Sequence, residues 1–221
     1  MERHFDDELK ELNNKILRMA TLSEDAIKLA IEALKNRDEE LAKKVINNDC
    51  IIDKFELEID DFSIALLATR QPLAKDLRFI TTATKINSEL ERIADLAVNI
   101  SHKTLDLSVQ NELKKLVKIP VLAELAITMV KDSIDSFVNR NLETAKNVIN
   151  LDKQANELRN TIHRELIEDY IIKDPSTASR AILLFLVAQH LERICDHAKY
   201  IAQDVIYLVC AKDVRHKKGC F

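Results

Sequence analysis

The chain has 221 residues, 47% of them hydrophobic, with 33 basic and 37 acidic residues for a net charge of −4. That length suits two domains of about 100 residues, and charges this well mixed provide no basic stripe to track a phosphate backbone, so nucleic acid is not an expected partner. A single glycine, Gly219, and three prolines, Pro72, Pro120 and Pro175, exclude a hairpin-rich β fold, which needs glycine for positive φ. They also exclude the glycine-built phosphate cradles of nucleotide-binding enzymes.

The chain therefore reads as all-α. Apolar positions with a 3.6-residue period predict a first helix over 5–35. The turn Asn36-Arg37-Asp38 follows, in which Asn suits the left-handed helix end and Asp38 caps the next helix, predicted over 39–68. Pro72 then marks the start of a third helix over 73–106, since proline is tolerated in a first helical turn and not in a helix interior. Residues 107–118 form a connection. A fourth helix is predicted over 119–139, and Asn139-Arg140-Asn141 repeats the first turn, with Asn141 as cap. The fifth spans 142–172. Asp174-Pro175 supplies an N-cap and first position for the sixth, over 176–212. The expected architecture is two tandem antiparallel three-helix bundles, residues 1–108 and 109–212, with a flexible tail over 213–221.

The longest apolar run, Ala181 to Ala188, is far short of the roughly 20 residues of a membrane span, and the acidic start MERHFDDE does not resemble a signal peptide. A cytoplasmic protein without membrane insertion is expected. Cys50, Cys195, Cys210 and Cys220 show no Cys-x-x-Cys spacing and read as reduced thiols.

The two predicted bundles are copies. Leu90-Glu91-Arg92-Ile93-Ala94-Asp95 returns as Leu191-Glu192-Arg193-Ile194-Cys195-Asp196, at an offset of 101. Val45-Ile46-Asn47 with Asp49 returns as Val148-Ile149-Asn150 with Asp152, at an offset of 103. A period of roughly 100 residues is too long for a solenoid repeat.

Acidic residues fall in rows on the predicted helices. Asp49, Asp53, Glu56 and Asp60 lie within an arc of roughly 60° on the second helix, beside the core-facing Ile52, Phe55, Ile59 and Phe62. On the third helix Glu91, Asp95 and Asn99 form a similar row beside Leu90, Ala94, Ala97 and Ile100. Such rows repel and favour a cation. An isolated Glu-x-x-x-Asp pair carries no weight in so acidic a chain; its recurrence in both halves does. Two readings stand together: metal ligation, and a solvated helix face paired with lysines. Oxygen-only ligands point to hard cations such as Mg, Ca, Mn or iron. The second half keeps Asp152, Glu192 and Asp196, but places Asn156, Arg159 and His163 where the first half has Asp53, Glu56 and Asp60. Its affinity for a cation should be lower. No histidine follows a glutamate at the Glu-x-x-His spacing of bundle di-iron enzymes, and no nucleophile elbow is present. His190 and His197 read as helix-surface residues.

Arg70-Gln71-Pro72, Asp76-Leu77-Arg78, the Leu90–Asp95 phrase and Glu192-Arg193-Ile194-x-Asp196 together resemble the PhoU family of phosphate-transport regulators, in order, spacing and duplication. The resemblance covers almost the whole chain. It implies two metal-binding three-helix bundles, with iron the leading metal. Asp49, Asp53, Glu91 and Asp95 would be ligands in the first half, with Glu56 and Asp60 as further candidates, and Asp152, Glu192 and Asp196 in the second. Asn156 and His163 are candidates there by position alone, since Asn156 and Arg159 depart from an all-acidic pattern. It further implies a non-catalytic negative regulator of phosphate-starvation genes. That regulator would link the ATPase subunit of a phosphate ABC transporter to a phosphate-sensing histidine kinase, and a homodimer is expected. The alternatives are a carboxylate-bridged metal-dependent phosphate-ester hydrolase and a helical adaptor without metal.

Overall fold

A computed structural model of the chain describes residues 2–113 and 118–214, with side chains from residue 5 onward. Six α-helices follow in order: α1 (Glu2–Asn36), α2 (Glu39–Arg70), α3 (Ala74–Ser108), α4 (Lys118–Asn139), α5 (Leu142–Glu165) and α6 (Ala178–Cys210), with no strand among the described residues. Helices so long are held mainly by burial of an apolar stripe, because propensity alone leaves isolated helices marginal. The central part of the 107–118 connection, and the tail beyond residue 214 that reads as flexible in the sequence, lie outside the described residues.

Short connections force antiparallel neighbours. Within the first half α1, α2 and α3 all pack on one another, and α4, α5 and α6 repeat the arrangement in the second. The halves meet where α3 packs on α6 and α1 on α4. As a result α1, α3, α6 and α4 form an inner layer, while among the described residues α2 packs on α1 and α3 alone and α5 lies at the opposite margin. The two bundles are fused more closely than side-by-side domains would be, for one apolar core runs without a break from Leu12 and Ile16 through Leu90 and Ile93 to Leu191 and Ile194. Each such side chain, fully removed from water, contributes about 1.5–3 kcal/mol. Phe79 and Phe137 stack across the junction with ring centroids 5.6 Å apart. Polar ties cross it too: Lys85 pairs with Asp204 at 3.3 Å, and His197 Nδ1 lies 2.5 Å from Glu89 Oε2. His197 is thus engaged at the seam between the halves rather than on an open helix surface, and His190 is likewise half-buried.

The turns show how a chain almost without glycine reverses direction. Asp38 accepts a hydrogen bond from the Leu41 amide at 2.9 Å, and Asn141 accepts from Glu143 and Thr144 at 3.0 and 3.2 Å, so both caps form as their positions predict. The left-handed residues, however, are Arg37 (φ 53) and Arg140 (φ 51), not Asn36 and Asn139. The asparagines complete the last helical turn, and the reversal falls one residue later. There the amides of Asp38 and Asn141 reach back to the carbonyls of Ala33 and Ser136 at 3.0 and 2.9 Å. A non-glycine residue in this region costs about 1–2 kcal/mol. Arg37 offsets it by donating to the carbonyls of Leu107 and Gln110 at the far end of α3.

The continuous fifth helix predicted to residue 172 is corrected. After Glu165 the chain widens into a π-helical turn over Leu166–Ile171, closed by the Ile172 amide on the Ile167 carbonyl at 2.9 Å. The extra residue per turn rotates the chain enough to bring Tyr170 and Ile171 against the core. Asp174 then caps a short 3₁₀ turn, Pro175–Thr177, through the Ser176 amide at 3.0 Å, and α6 begins at Ala178.

Candidate functional site

The apolar arc beside each acidic row decides where the row goes. Ile52, Phe55 and Ile59 of α2 and Leu90, Ala94, Ala97 and Ile100 of α3 are all buried. Burying those arcs in the α2–α3 contact brings the two rows to one margin of the first bundle. Asp49, Glu56, Asp60, Glu91 and Asp95 are half-buried there and Asp53 is exposed.

What distinguishes this margin is charge without counter-charge. Among the described residues Arg92 is the one cation paired with the row, at 3.4 Å from Glu91 and 3.1 Å from Asp95, and its side chain is 60% exposed. Burial, reinforced by the charge of Asp95, pushes the Glu91 carboxyl up to about 7 against the partial relief of Arg92. Burial followed by Asp53 and Asp95 pushes Asp49 up to about 6. Glu56 is raised as well, by burial and then by Asp60. These mutual influences show that the structure gathers Asp49, Asp53, Glu56, Glu91 and Asp95 into one electrostatic unit. Asp60 joins it through Glu56 and through Asn87, whose Nδ2 donates at 3.0 Å both to the Asp60 carboxylate and to the Glu56 carbonyl. Asn87 is fully buried, and its Oδ1 has no partner. Asn99 instead donates to the backbone of its own helix, at the Asp95 carbonyl.

The equivalent margin of the second half is built otherwise. Lys199 Nζ stands 3.0 Å from Asp152 and 2.5 Å from Asp196. Arg159 donates to Glu192 at 3.1 Å and to the side-chain oxygens of Asn156 and Asn160, each also at 3.1 Å. Burial works against the Lys199 ammonium, yet its hydrogen bonds to Asp196 and Asp152 leave it above the ordinary lysine value. Burial still raises Asp152 and Glu192, opposed by Lys199 and Arg159 respectively. His163 is engaged by Phe185 of α6. Its ring stacks on Phe185 with centroids 3.4 Å apart, its Nε2 lies 3.2 Å from the Phe185 carbonyl, and burial lowers its affinity for a proton. Cys195, inside the repeated phrase, is fully buried, and burial pushes its thiol further from ionising.

The donor set of the first row fits a hard cation in kind, being made of carboxylate oxygens, most of them half-buried, that are short of positive charge. The side chains stand apart, as their repulsion requires. Among the described residues no three His, Cys, Asp or Glu groups already converge on a point where an ion would sit. The second row does not fit, because its cations are already supplied by the chain. Sequence reasoning missed Lys199 and Asn87. Comparing the halves position by position finds the first, since Lys199 stands where the first half has Val98.

Comparison with known proteins agrees with the duplication. The model of the PhoU domain matches twice, over residues 16–104 and 119–205. A phosphate-specific transport system accessory protein PhoU homolog of Aquifex aeolicus is 40% identical over 210 residues, 95% of each chain. The crystal structure of PhoU from Pseudomonas aeruginosa superposes with a TM-score of 0.90 at 33% identity, covering 94% of this chain and 100% of that one. That of the phosphate transport system regulatory protein PhoU from Streptococcus pneumoniae gives 0.89 at 27% identity, over 95% and 99%. With both halves matched in sequence and in fold, the chain belongs to the PhoU domain family.

Proposed function

We propose that this protein is a non-catalytic accessory protein of a phosphate transport system, acting as a metal-binding negative regulator of phosphate-starvation signalling. The observation that carries the reading is the double family match, with relatives named as phosphate transport accessory proteins along nearly the full chain. Its partners are the ATPase subunit of a phosphate ABC transporter and a phosphate-sensing histidine kinase, on the cytoplasmic side of the membrane, with a second copy of the chain as homodimer partner. None of the described helices is long and apolar enough to cross a membrane. Exposed apolar side chains such as Leu57 and Ile64 on α2 support protein contact as the mode of action.

The metal belongs to the first row. Asp49, Asp53, Glu56, Asp60, Glu91 and Asp95 would hold it, iron first and Mg, Mn or Ca otherwise, and the ion would supply the positive charge that the row lacks. Deleting the gene should switch on phosphate-uptake genes in high phosphate, and purified protein should carry metal and show no turnover on phosphate esters. Normal repression in the deletion strain overturns the regulatory reading. Metal-dependent hydrolysis abolished by Asp95→Ala moves it to the hydrolase.

A further inference from the structure

We infer that the second acidic row carries its own cation: the Lys199 ammonium takes the place that a metal ion takes in the first row, so the chain has one metal-binding half. The inference rests on the metal reading of the first row. Three positions frame it. Asp152, Glu192 and Asp196 correspond to Asp49, Glu91 and Asp95, so the carboxylate skeleton is kept. Into that skeleton the chain places two positive side chains that the first half lacks, Lys199 at the position of Val98 and Arg159 at that of Glu56.

The geometry makes these cations residents. Lys199 bridges Asp152 on α5 and Asp196 on α6 with one ammonium, as an ion shared between two helices would, and only 19% of its side chain is exposed. Arg159 spans the same helix pair to reach Glu192, which is buried. A metal ion entering here would have to expel a charged, largely buried lysine whose two partners already satisfy it. Like charge repels the incoming ion as well. Glu192 and Asp196 therefore keep their place in the duplicated phrase as partners of protein cations, and the family resemblance overstates the metal content of this chain.

Binding of Mn2+ to the metal-free full-length chain, measured by calorimetry and by metal analysis after dialysis, tests this. Wild-type protein should bind Mn2+ with one set of sites. Glu91→Ala with Asp95→Ala should weaken it by about 100-fold or more, whereas Glu192→Ala with Asp196→Ala should change it less than about threefold. Lys199→Val with Arg159→Glu, which restores the first-half residues at those two positions, should add a second set. Loss of Mn2+ in the Glu192/Asp196 variant overturns the inference and leaves the metal reading of the first row intact. If wild-type protein binds no Mn2+, the metal reading fails, and the lysine is judged by the nitrogen-15 resonance of its ammonium. A slowly exchanging Lys199 signal that disappears in Asp196→Asn upholds its role as resident cation; its absence from folded wild-type protein, checked by circular dichroism, overturns it.

Discussion

The first and second acidic rows hang on the same helical scaffold and reach different electrical ends. In the first, six carboxylates share one exposed arginine, and two of them are pushed to about 6 and about 7. In the second, three carboxylates are held by a lysine and an arginine inside 3.1 Å. Four changes make the contrast: Lys199 stands against Val98 and Arg159 against Glu56, while Asn156 and His163 stand against Asp53 and Asp60. Duplication copies where a charge sits, and a neighbouring helix turn decides what that charge is for.

The comparison assumes that the two scaffolds are mechanically alike, and the largest expected effects test that. Leu90 and Leu191 open the repeated phrase and are fully buried. Leu90→Ala and Leu191→Ala should each cost about 2–5 kcal/mol in urea unfolding, and within about 1 kcal/mol of each other. A much cheaper substitution in one half would show that the halves are not equivalent supports. Next in size comes removal of the resident lysine. Lys199→Ala leaves Asp152 and Asp196 half-buried without their shared donor and should cost about 1–3 kcal/mol. Val98→Lys, the reverse exchange, should raise the melting temperature of metal-free protein and abolish Mn2+ binding.

Acidity separates the rows more finely. Unfolded carboxyls titrate near pH 4, so the raised Asp49 and Glu91 retain protons in the native state that the unfolded chain has already released. Native protein then binds more protons than unfolded protein between about pH 4 and 7, and this contribution to stability falls as pH rises through that window. Metal-free protein should melt a few degrees lower at pH 8 than at pH 5.5 on this account, and Glu91→Gln should flatten the dependence. Metal affinity should climb over the same range, since the ion needs ionised ligands. A calorimetric pH series with and without Mn2+ measures both slopes. The smallest effect belongs to Arg92→Ala. Its side chain is 60% exposed, so stability should move by no more than about 0.5 kcal/mol.

Much of this contrast can be read from the residues. Period and capping chemistry place the six helices in order, and Asp38 and Asn141 cap α2 and α5 as their positions predict, whereas Asp174 caps a short 3₁₀ turn ahead of α6 rather than α6 itself. The carboxylates of the first row come together because their register beside Ile52 and Leu90 leaves them no other margin. What escapes is whatever depends on depth. Lysine three residues after Asp196 looks like an ordinary solvated helix pair until its burial between two helices is known. Asn87 reads as one polar residue among others in Thr84-Lys85-Ile86-Asn87-Ser88-Glu89, and its role under Asp60 needs the opposing helix. The π-helical turn has no glycine or proline to announce it in Leu166–Ile171, and the left-handed Arg37 is settled by carbonyls 70 residues away.

The layering of the helices gives the first row one firm wall and one loose wall. Among the described residues α3 is gripped on three sides, by α1, α2 and α6, whereas α2 rests on α1 and α3 alone. Of the two helices that carry the row, α2 thus has the fewer neighbours to hold it against the mutual repulsion of the carboxylates. Keeping that margin closed falls to Ile52, Phe55 and Ile59, the apolar rivets that fasten α2 to the core.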